Sequence, residues 1–373
     1  MSANLKAIVM PKWGLAMQEG MLAKWHIEEG AEVKPGLEVC DIETSKIANA
    51  MEASVAGRVL RRVASEGTML PVGALLAVVG DSAASAEEVE RFIAKFEEEF
   101  AAAAEERGAE EPADRKVEVG GRQINYVKLG NAEGAPIILV HGFGADLNSW
   151  MFNQPQLAES HTTYALDLPG HGQSDKKVRK GSIEEFADVL AGFMEALGIP
   201  RTHLVGQSLG GAIILKLALD HPEKVASLTL ISSAGLGEDI NMAYVESFIR
   251  AAGRKDLKPE LEKLFADPSL VSRDMINDVL KYKRMDGVEE VLKAIAGSAF
   301  AGGKQSLLLR EKLRAIKTPV QVIFGAKDQI IPARHAEGLG GNVKVKVIPE
   351  ASHMPHMEAA PEVTRLILDM AKQ

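Results

Sequence analysis

The sequence has one cysteine, Cys40, no long apolar run and no excess of basic residues. A single cysteine excludes an internal disulfide and a zinc site built from several cysteines, and it is typical of the reducing cytoplasm. No apolar run approaches the ~20 residues of a membrane-spanning helix, and the N-terminus shows no basic-then-apolar signal. These absences predict a cytoplasmic protein that does not enter a membrane.

The charge is unevenly distributed. The 373 residues include 52 acidic and 43 basic side chains, and the net charge of −9 argues against a general nucleic-acid binder. Residues 81–115 hold 12 acidic and 4 basic side chains, a net of −8, whereas residues 1–80 carry −1 and residues 116–373 are neutral. The acidity therefore marks a segment between two larger regions, which we expect to be separate domains.

A repeat with an offset of 37 residues occupies residues 1–80. The positions shared by its two copies are Gly20 and Gly57, Glu29 and Glu66, Gly30 and Gly67, and Gly36 and Gly73. Short β-like runs separated by glycines predict strands and turns, and two such halves predict a small, quasi-symmetric β-sandwich. The polar residues 41–49 connect the halves, so we expect an exposed hairpin with Lys46 at its tip.

Residues 81–115 predict an acidic helical linker. Ser85 and Glu88 fit a capping box, and Gly108 can end the helix. The apolar residues that follow at helical spacing are Val89, Phe92, Ile93, Phe96 and Phe100. This stripe either packs on its own chain or a sister subunit, or it serves as a docking element for a partner enzyme.

Residues 116–373 predict an α/β domain. Gly120 and Gly121 lie between two β-like runs and predict a hairpin. The apolar, strand-like runs that follow are 137–140, 163–166, 203–205, 228–231, 320–324 and 343–348. Helical stretches separate them, which predicts a mostly parallel sheet covered on both faces. Residues 236–315 interrupt this alternation and predict a helical cap over the carboxyl edge of the sheet.

A nucleophile and its two partners follow three of these strands. Ser208 lies in a Gly-x-Ser-x-Gly turn between a strand and a helix, which would project its hydroxyl away from the sheet. Serine needs a histidine oriented by a carboxylate. Asp328 and His353 each follow a later strand, in the order that this turn requires, and His356 is the alternative histidine.

Upstream, a His-Gly-Phe-Gly loop at 141–144 follows the first strand of the parallel series. The backbone N–H groups of Phe143 and Leu209 could form an oxyanion hole, in which each donor lowers the activation barrier by ~3–4 kcal/mol. His141, His171 and Asp167 are interpreted as residues that pack the loops.

These motifs, together with the Asp-Leu-Pro-Gly-His-Gly-Gln-Ser segment at 167–174, resemble the α/β-hydrolase superfamily over residues 116–373. The resemblance implies that fold and a catalytic triad of Ser208, Asp328 and His353.

Residues 1–80 resemble the lipoyl domains of 2-oxo-acid dehydrogenase complexes. Residues 10–14, the Glu-Gly turn at 19–20 and the Glu-Thr-Ser-Lys segment at 43–46 carry the likeness. The lipoyl family has an acidic residue just before its lysine, where this chain has Ser45. Biotin domains share the fold but flank their lysine with methionines, so Ser45 and Ile47 favour lipoate on Lys46.

The combination resembles the acetyltransferase subunits of acetoin dehydrogenase complexes. This resemblance implies transfer of an acetyl group from S-acetyldihydrolipoyl-Lys46 to coenzyme A through Ser208. It also implies thiamine-diphosphate-dependent acetoin-cleaving subunits and a dihydrolipoamide dehydrogenase as partners, and a homo-oligomer. The chain has neither the His-x-x-x-Asp-Gly motif of the usual acyltransferase subunits nor a recognisable peripheral-subunit-binding domain.

Two alternatives remain open at this point. The same triad could pass the acyl group to water, as a thioesterase or esterase does. The chain could also be a lipoyl carrier scaffold with an inert hydrolase domain.

Overall fold

The computed structural model describes residues 5–11, 19–43, 48–81, 84–106, 115–340 and 343–372. The chain divides into two compact units, residues 1–113 and residues 114–373. Each helix in the described part of the chain is too short or too polar to cross a lipid bilayer.

The N-terminal unit is a sandwich of two four-stranded antiparallel sheets. Its strands are β1 (Lys6–Val9), β2 (Glu19–Trp25), β3 (Glu32–Val33), β4 (Glu38–Glu43), β5 (Ala48–Glu52), β6 (Gly57–Arg62), β7 (Thr68–Pro71) and β8 (Leu75–Gly80). One sheet has the order β1-β8-β6-β3 and the other β5-β4-β2-β7. The offset of 37 residues relates β2, β3 and β4 to β6, β7 and β8, and β1 and β5 occupy equivalent edges of the two sheets. The predicted quasi-symmetric sandwich is therefore confirmed.

The repeated glutamates make reciprocal hydrogen bonds between the two halves. The Trp25 N–H donates to Glu66 Oε1 at 2.7 Å, and the Arg62 N–H donates to Glu29 Oε1 at 2.8 Å. Trp25 and Arg62 are themselves 37 residues apart. Each half therefore satisfies a backbone donor of the other half, which explains why the repeat contains these two acids.

The core of this unit lies between the two sheets and includes the only cysteine of the chain. Leu22, Ile42 and Leu76 are fully buried there together with Cys40. Burial raises the pKa of the Cys40 thiol to about 12. The sulfur is therefore a small apolar group of the core at neutral pH.

The two strands on either side of the lysine segment pair with each other. β4 and β5 are antiparallel, with Glu43 opposite Ala48. Residues 44–47 join these strands, and the predicted position of Lys46 lies outside the described residues.

A single long helix, α1 (Ala86–Glu106), follows the sandwich. Its capping box forms as predicted: the Glu88 N–H donates to Ser85 Oγ at 3.2 Å, and the Ser85 N–H donates to Glu88 Oε2 at 2.9 Å. These two bonds satisfy N–H groups that have no partner within the helix, so they stabilise its N-terminus.

The apolar stripe of α1 packs on its own chain. Phe92 and Phe96 pack against a cluster that includes Leu75 and Val78 of β8, and Phe100 packs against the sandwich core. The apolar stripe of α1 therefore packs on its own chain, where it covers the outer face of β8.

The C-terminal unit contains one eight-stranded sheet. Its strands are β9 (Arg115–Val119), β10 (Arg122–Leu129), β11 (Ile137–Val140), β12 (Thr163–Leu166), β13 (Thr202–Gln207), β14 (Val225–Ile231), β15 (Val320–Gly325) and β16 (Val343–Ile348). The order is β16-β15-β14-β13-β11-β12-β10-β9. β9 and β10 form the predicted antiparallel hairpin, and β11 to β16 are parallel, so the predicted sheet is confirmed.

The α-helices of this unit are α2 (Gln154–Ala158), α3 (Ile183–Ala196), α4 (Leu209–Asp220), α5 (Met242–Arg250), α6 (Arg254–Glu262), α7 (Arg273–Lys283), α8 (Val288–Ala299), α9 (Pro355–Glu358) and α10 (Ala360–Ala371). Four of them, α5 to α8, form the cap, and the others alternate with the strands or follow the last strand. Helices α5 to α8 lie between β14 and β15 in the sequence, where the helical insertion is expected. The carboxyl ends of β13, β15 and β16 lead directly to the candidate site residues.

Candidate active site

Ser208 lies in a strained turn between β13 and α4. Its φ of 53° and ψ of −117° are unfavourable for a residue with a side chain. The turn needs glycine at Gly206, because a Cβ there would lie 2.5 Å from the Gly210 carbonyl oxygen. Ser208 directly follows the last residue of β13 and is 7 % exposed, so it is nearly enclosed.

Asp328 and His353 are in direct contact. His353 Nδ1 lies 2.9 Å from Asp328 Oδ2, and both side chains are almost fully buried. A carboxylate can only accept a hydrogen bond, so Nδ1 carries the proton and Nε2 is left as a base. The other oxygen of Asp328 accepts the Ile330 and Ile331 N–H groups at 2.8 and 2.9 Å, which fixes the carboxylate.

Other buried groups hold the histidine loop. Gln207, just before Ser208, donates from Nε2 to the His353 carbonyl oxygen at 3.1 Å. The His353 N–H donates to the Leu264 carbonyl oxygen at 3.1 Å, which ties the loop to the cap. Glu358 accepts the Ser352 N–H at 2.7 Å, and burial raises the pKa of Glu358. The loops that carry Ser208 and His353 are therefore connected through the side chain of Gln207.

The candidate oxyanion loop lies against the nucleophile turn. A Cβ at Gly142 would lie 3.0 Å from the Ser208 Cβ and would overlap the Gln207 amide, so only glycine fits. Among the described residues, no hydrogen bond uses the N–H of Phe143 or Leu209. Two backbone donors near Ser208 are thus available to a ligand.

Two buried histidines hold this loop. His141 Nε2 accepts the Leu168 N–H at 3.0 Å, and His171 Nε2 accepts the Gly144 N–H at 3.1 Å. Burial lowers the pKa of His141 to about 4 and lowers that of His171 well below its usual value. Both rings are therefore neutral acceptors, which agrees with their interpretation as loop-packing residues.

Asp167 belongs to the same structural network. It accepts the Leu147 and Gln173 N–H groups, each at 2.8 Å, and the side-chain amide of Asn125 at 2.9 Å. It thus joins strand β10 to the segments that contain Leu147 and Gln173, in agreement with its interpretation as a packing residue.

His356, the alternative histidine, occupies a different environment. Its ring lies 4.6 Å from the Trp150 ring, and neither ring nitrogen has a hydrogen-bond partner among the described residues. Burial lowers the pKa of His356 to about 3. Asp328 contacts His353, so His353 and not His356 is the histidine with a carboxylate partner.

The sequence did not reveal the roles of Gln207 and Glu358. Both are polar residues beside motif residues, and their partners lie in distant loops or in the cap. A polar residue next to Ser208 is a signal that could have indicated Gln207, whereas Glu358, half-buried five residues after His353, carries no such signal. Within the described ranges, no group of three or more His, Cys, Asp or Glu side chains is arranged to hold a metal ion.

Two family models match the chain. One, described as alpha/beta hydrolase fold, matches residues 135–360, and the other, described as biotin-requiring enzyme, matches residues 6–79. A meta-cleavage product hydrolase from Pseudomonas fluorescens is similar in structure, with a TM-score of 0.63 at 22 % identity, over 69 % of this chain and 97 % of that one. This likeness concerns the fold of the C-terminal unit.

Two relatives are similar over nearly the whole length. The dihydrolipoyllysine-residue acetyltransferase component of the acetoin cleaving system of Pseudomonas putida is 45 % identical, over 98 % of both chains. The protein of the same description from Cupriavidus necator is 42 % identical, over 98 % of this chain and 97 % of its own. The chain therefore belongs to the dihydrolipoyllysine-residue acetyltransferase components of acetoin cleaving systems, which unite a lipoyl domain with an α/β-hydrolase domain.

Proposed function

We propose that the chain passes an acetyl group from S-acetyldihydrolipoyl-Lys46 to coenzyme A, with Ser208 as the intermediate acceptor. The observation that carries the proposal is the 2.9 Å contact of His353 with Asp328, beside a strained Ser208 turn. In this proposal residues 1–80 are the carrier, 81–115 the linker, and 116–373 the catalytic domain with its cap at about 236–315.

In the first half-reaction, His353 Nε2 removes the Ser208 proton as Oγ attacks the thioester carbonyl carbon. The Phe143 and Leu209 N–H groups donate to the oxygen on which negative charge develops. When the C–S bond breaks, His353 gives its proton to the leaving dihydrolipoyl thiolate. The products are acetyl-Ser208 and a free dithiol.

In the second half-reaction, His353 takes the thiol proton of coenzyme A. The thiolate attacks the acetyl-Ser208 carbonyl, and the same two N–H groups stabilise the negative charge. The ester bond breaks, Ser208 Oγ recovers the proton from His353, and acetyl-CoA leaves. Asp328 remains ionised throughout and keeps the ring of His353 oriented.

Transfer to a thiol requires that water be kept from acetyl-Ser208. The Phe143 ring packs edge-on against Phe248 of α5 at 6.0 Å and against Phe300, just after α8, at 6.1 Å. Cap aromatics thus meet the candidate oxyanion loop, and in this proposal their apolar surface limits the access of water to acetyl-Ser208.

The carrier role rests on the lipoyl domain. Lys46 lies in the sequence between β4 and β5, which pair with each other, and this order supports a lysine that is modified and then delivered. Lipoate on this lysine would supply the dithiol that holds the acetyl group. The names of the relatives support other subunits of an acetoin cleaving system as partners. We further propose thiamine-diphosphate-dependent acetoin-cleaving subunits, a dihydrolipoamide dehydrogenase and a homo-oligomeric assembly.

The test supplies S-acetyldihydrolipoamide to the full chain, with and without coenzyme A. We expect acetyl-CoA formation that Ser208→Ala abolishes and that the surface control Ser160→Ala leaves unchanged. Acetate release at an equal rate without coenzyme A would instead establish a thioesterase. No turnover by the wild-type chain would leave the scaffold alternative.

The modification is tested separately. Intact mass after incubation with lipoate and a lipoylating enzyme should rise by one lipoyl group in the wild type and in Lys34→Arg. It should not rise in Lys46→Arg. A mass increase in Lys46→Arg would assign the carrier to another lysine.

A further inference from the structure

A cavity of about 560 Å³ lies in the cap between α6 and α7. It is lined by Arg254 of α6, by Asn277, Leu280 and Lys281 of α7, and by Arg284, which directly follows α7. Pockets of this size hold small organic ligands or large parts of cofactors. Three of the five lining residues are cationic, so the cavity suits an anionic group.

The three cations of this cavity are available to a ligand. Arg254, Lys281 and Arg284 are exposed, and none of them takes part in an ion pair between described residues. The Arg254 Nε donates to Asn277 Oδ1 at 2.7 Å, which positions the guanidinium and leaves its terminal nitrogens for other acceptors. Leu280 is buried and adds an apolar surface.

Two neighbouring lysines, one in α6 and one just after it, do form ion pairs with carboxylates. Lys258 pairs with Glu262 at 3.5 Å, and Lys263 pairs with Glu260 at 2.7 Å. The cations with carboxylate partners therefore lie outside the cavity, and those inside it have none. Three cationic side chains that share one cavity favour an anionic ligand.

The C-terminal end of α7, beside this cavity, also contacts residues that hold the candidate oxyanion loop at 141–144. The Tyr282 hydroxyl donates to the Gly170 carbonyl oxygen at 3.0 Å, and its ring stacks on His171 at 6.1 Å. His171 in turn accepts the Gly144 N–H.

Lys283 makes a second connection. Its ammonium group donates to the Phe248 carbonyl oxygen at 2.6 Å, and Phe248 packs on Phe143. One helix thus connects the cationic cavity with the loop that faces Ser208.

We propose that this cavity binds the phosphates and adenosine of coenzyme A; the assignment rests on the proposed function. Arginine side chains suit phosphate oxygens because their N–H groups can bind two at once, and Lys281 supplies a further cation. Leu280 offers an apolar contact to adenine. The pantetheine arm then extends along the cap toward Ser208 and presents the thiol to His353.

The kinetic test compares coenzyme A with pantetheine, which has the thiol but no phosphates, in acetyl transfer by the full chain. Arg254→Gln, Lys281→Gln and Arg284→Gln should each raise KM for coenzyme A about tenfold with little change in kcat, since each removes a charged contact. KM for pantetheine should not change. Lys255→Gln on α6 and Arg273→Gln on α7, which do not line the cavity, should behave like the wild type.

A binding measurement separates this proposal from the proposed function. Titration calorimetry with coenzyme A should give an affinity that falls about tenfold in Arg284→Gln and weakens with salt in the wild type. If the wild type binds in this way but transfers no acetyl group, the cavity assignment stands and the proposed function fails. Equal affinity in all variants, or no binding by the wild type, overturns the assignment.

Discussion

The lipoyl domain places its repeated glutamates at reciprocal positions, whereas the hydrolase domain gathers its important polar residues at one edge of a single sheet. Glu29 and Glu66 each bind a backbone N–H of the opposite half of the sandwich. In the hydrolase domain, Asp328 and His353 bind each other beside a strained Ser208. The lipoyl domain thus distributes its polar contacts between two symmetric halves, whereas the hydrolase domain has them close together at the candidate site.

Polar residues therefore have different roles in the two domains. In the lipoyl domain the repeated glutamates accept backbone hydrogen bonds, and we expect the loss of either one to reduce the unfolding free energy only modestly. In the hydrolase domain several are buried, and the proposed mechanism uses them as a unit, so the loss of one should disable the site without unfolding the domain. The following experiments test this contrast in order of decreasing effect.

Asp328→Asn should give the largest change. An amide can no longer stabilise the protonated His353 or select its reactive tautomer, so kcat for acetyl transfer from S-acetyldihydrolipoamide should fall about 10³–10⁴-fold. Asp369→Asn, an exposed residue of α10, serves as the control. Lipoylation of the carrier, measured by intact mass, should be unchanged in both. Activity within tenfold of the wild type in Asp328→Asn would remove Asp328 from the mechanism.

Acid should destabilise the two domains unequally. Because burial lowers the pKa of His141 to about 4 and that of His356 to about 3, the unfolded chain binds protons below about pH 6.5 that the folded domain does not. Stability of the hydrolase domain should therefore fall as the pH decreases from 6.5, by about 2 kcal/mol per buried histidine near pH 5. The lipoyl domain has only His26, which is exposed.

Scanning calorimetry at neutral pH and near pH 5 measures this difference. His356→Phe should reduce the acid-induced loss by about 2 kcal/mol, since phenylalanine does not titrate. The surface variant His221→Gln should not reduce it. Equal acid sensitivity of the two transitions would contradict the assignment of the loss to buried histidines.

Phe96→Ala should loosen α1 from the lipoyl domain. Phe96 is half-buried against the outer face of β8, so its removal should destabilise this domain by about 2 kcal/mol. Hydrogen exchange of the α1 amides should accelerate, and that of the hydrolase domain should not. Glu98→Ala, on the exposed face of the same helix, is the matched control. Unchanged exchange in α1 would mean that the stripe does not hold the helix.

Glu66→Ala and Glu29→Ala should have the smallest effects and should resemble each other. Each leaves one backbone N–H to be satisfied by water and should lower the unfolding free energy of the lipoyl domain by about 1 kcal/mol. Glu28→Ala, a non-repeated neighbour, should have no effect. Thermal unfolding of the full chain measures the change, and very different losses in the two variants would argue against their equivalence.

The sandwich and the nucleophile turn could be predicted because their signals are local. Glycines at fixed offsets mark turns, and Ser208 lies in a short pattern between a strand and a helix. The partner of the α1 stripe could not be decided from helical spacing alone. One signal was present in β8, whose six residues are all buried, so that it needs cover on both faces.

Contacts between distant segments could not be predicted in this way. Gln207 and His353 are 146 positions apart, and the cationic cavity unites Arg254 with residues of the following helix. Periodicity shows which face of an element is apolar, but it does not show which loop or helix will meet that face. The candidate site residues could be named because their types and order are informative, whereas the side chains that contact them carry no such signal.

The burial of Cys40 has a consequence for the redox chemistry of the carrier. A dithiol cofactor is oxidised and reduced in each cycle, and an accessible thiolate on the same domain would compete for it through a mixed disulfide. With its pKa raised to about 12, Cys40 is not a thiolate at neutral pH, and no part of it is exposed. The lipoyl domain thus keeps its one native sulfhydryl out of disulfide exchange and leaves that reaction to the attached cofactor.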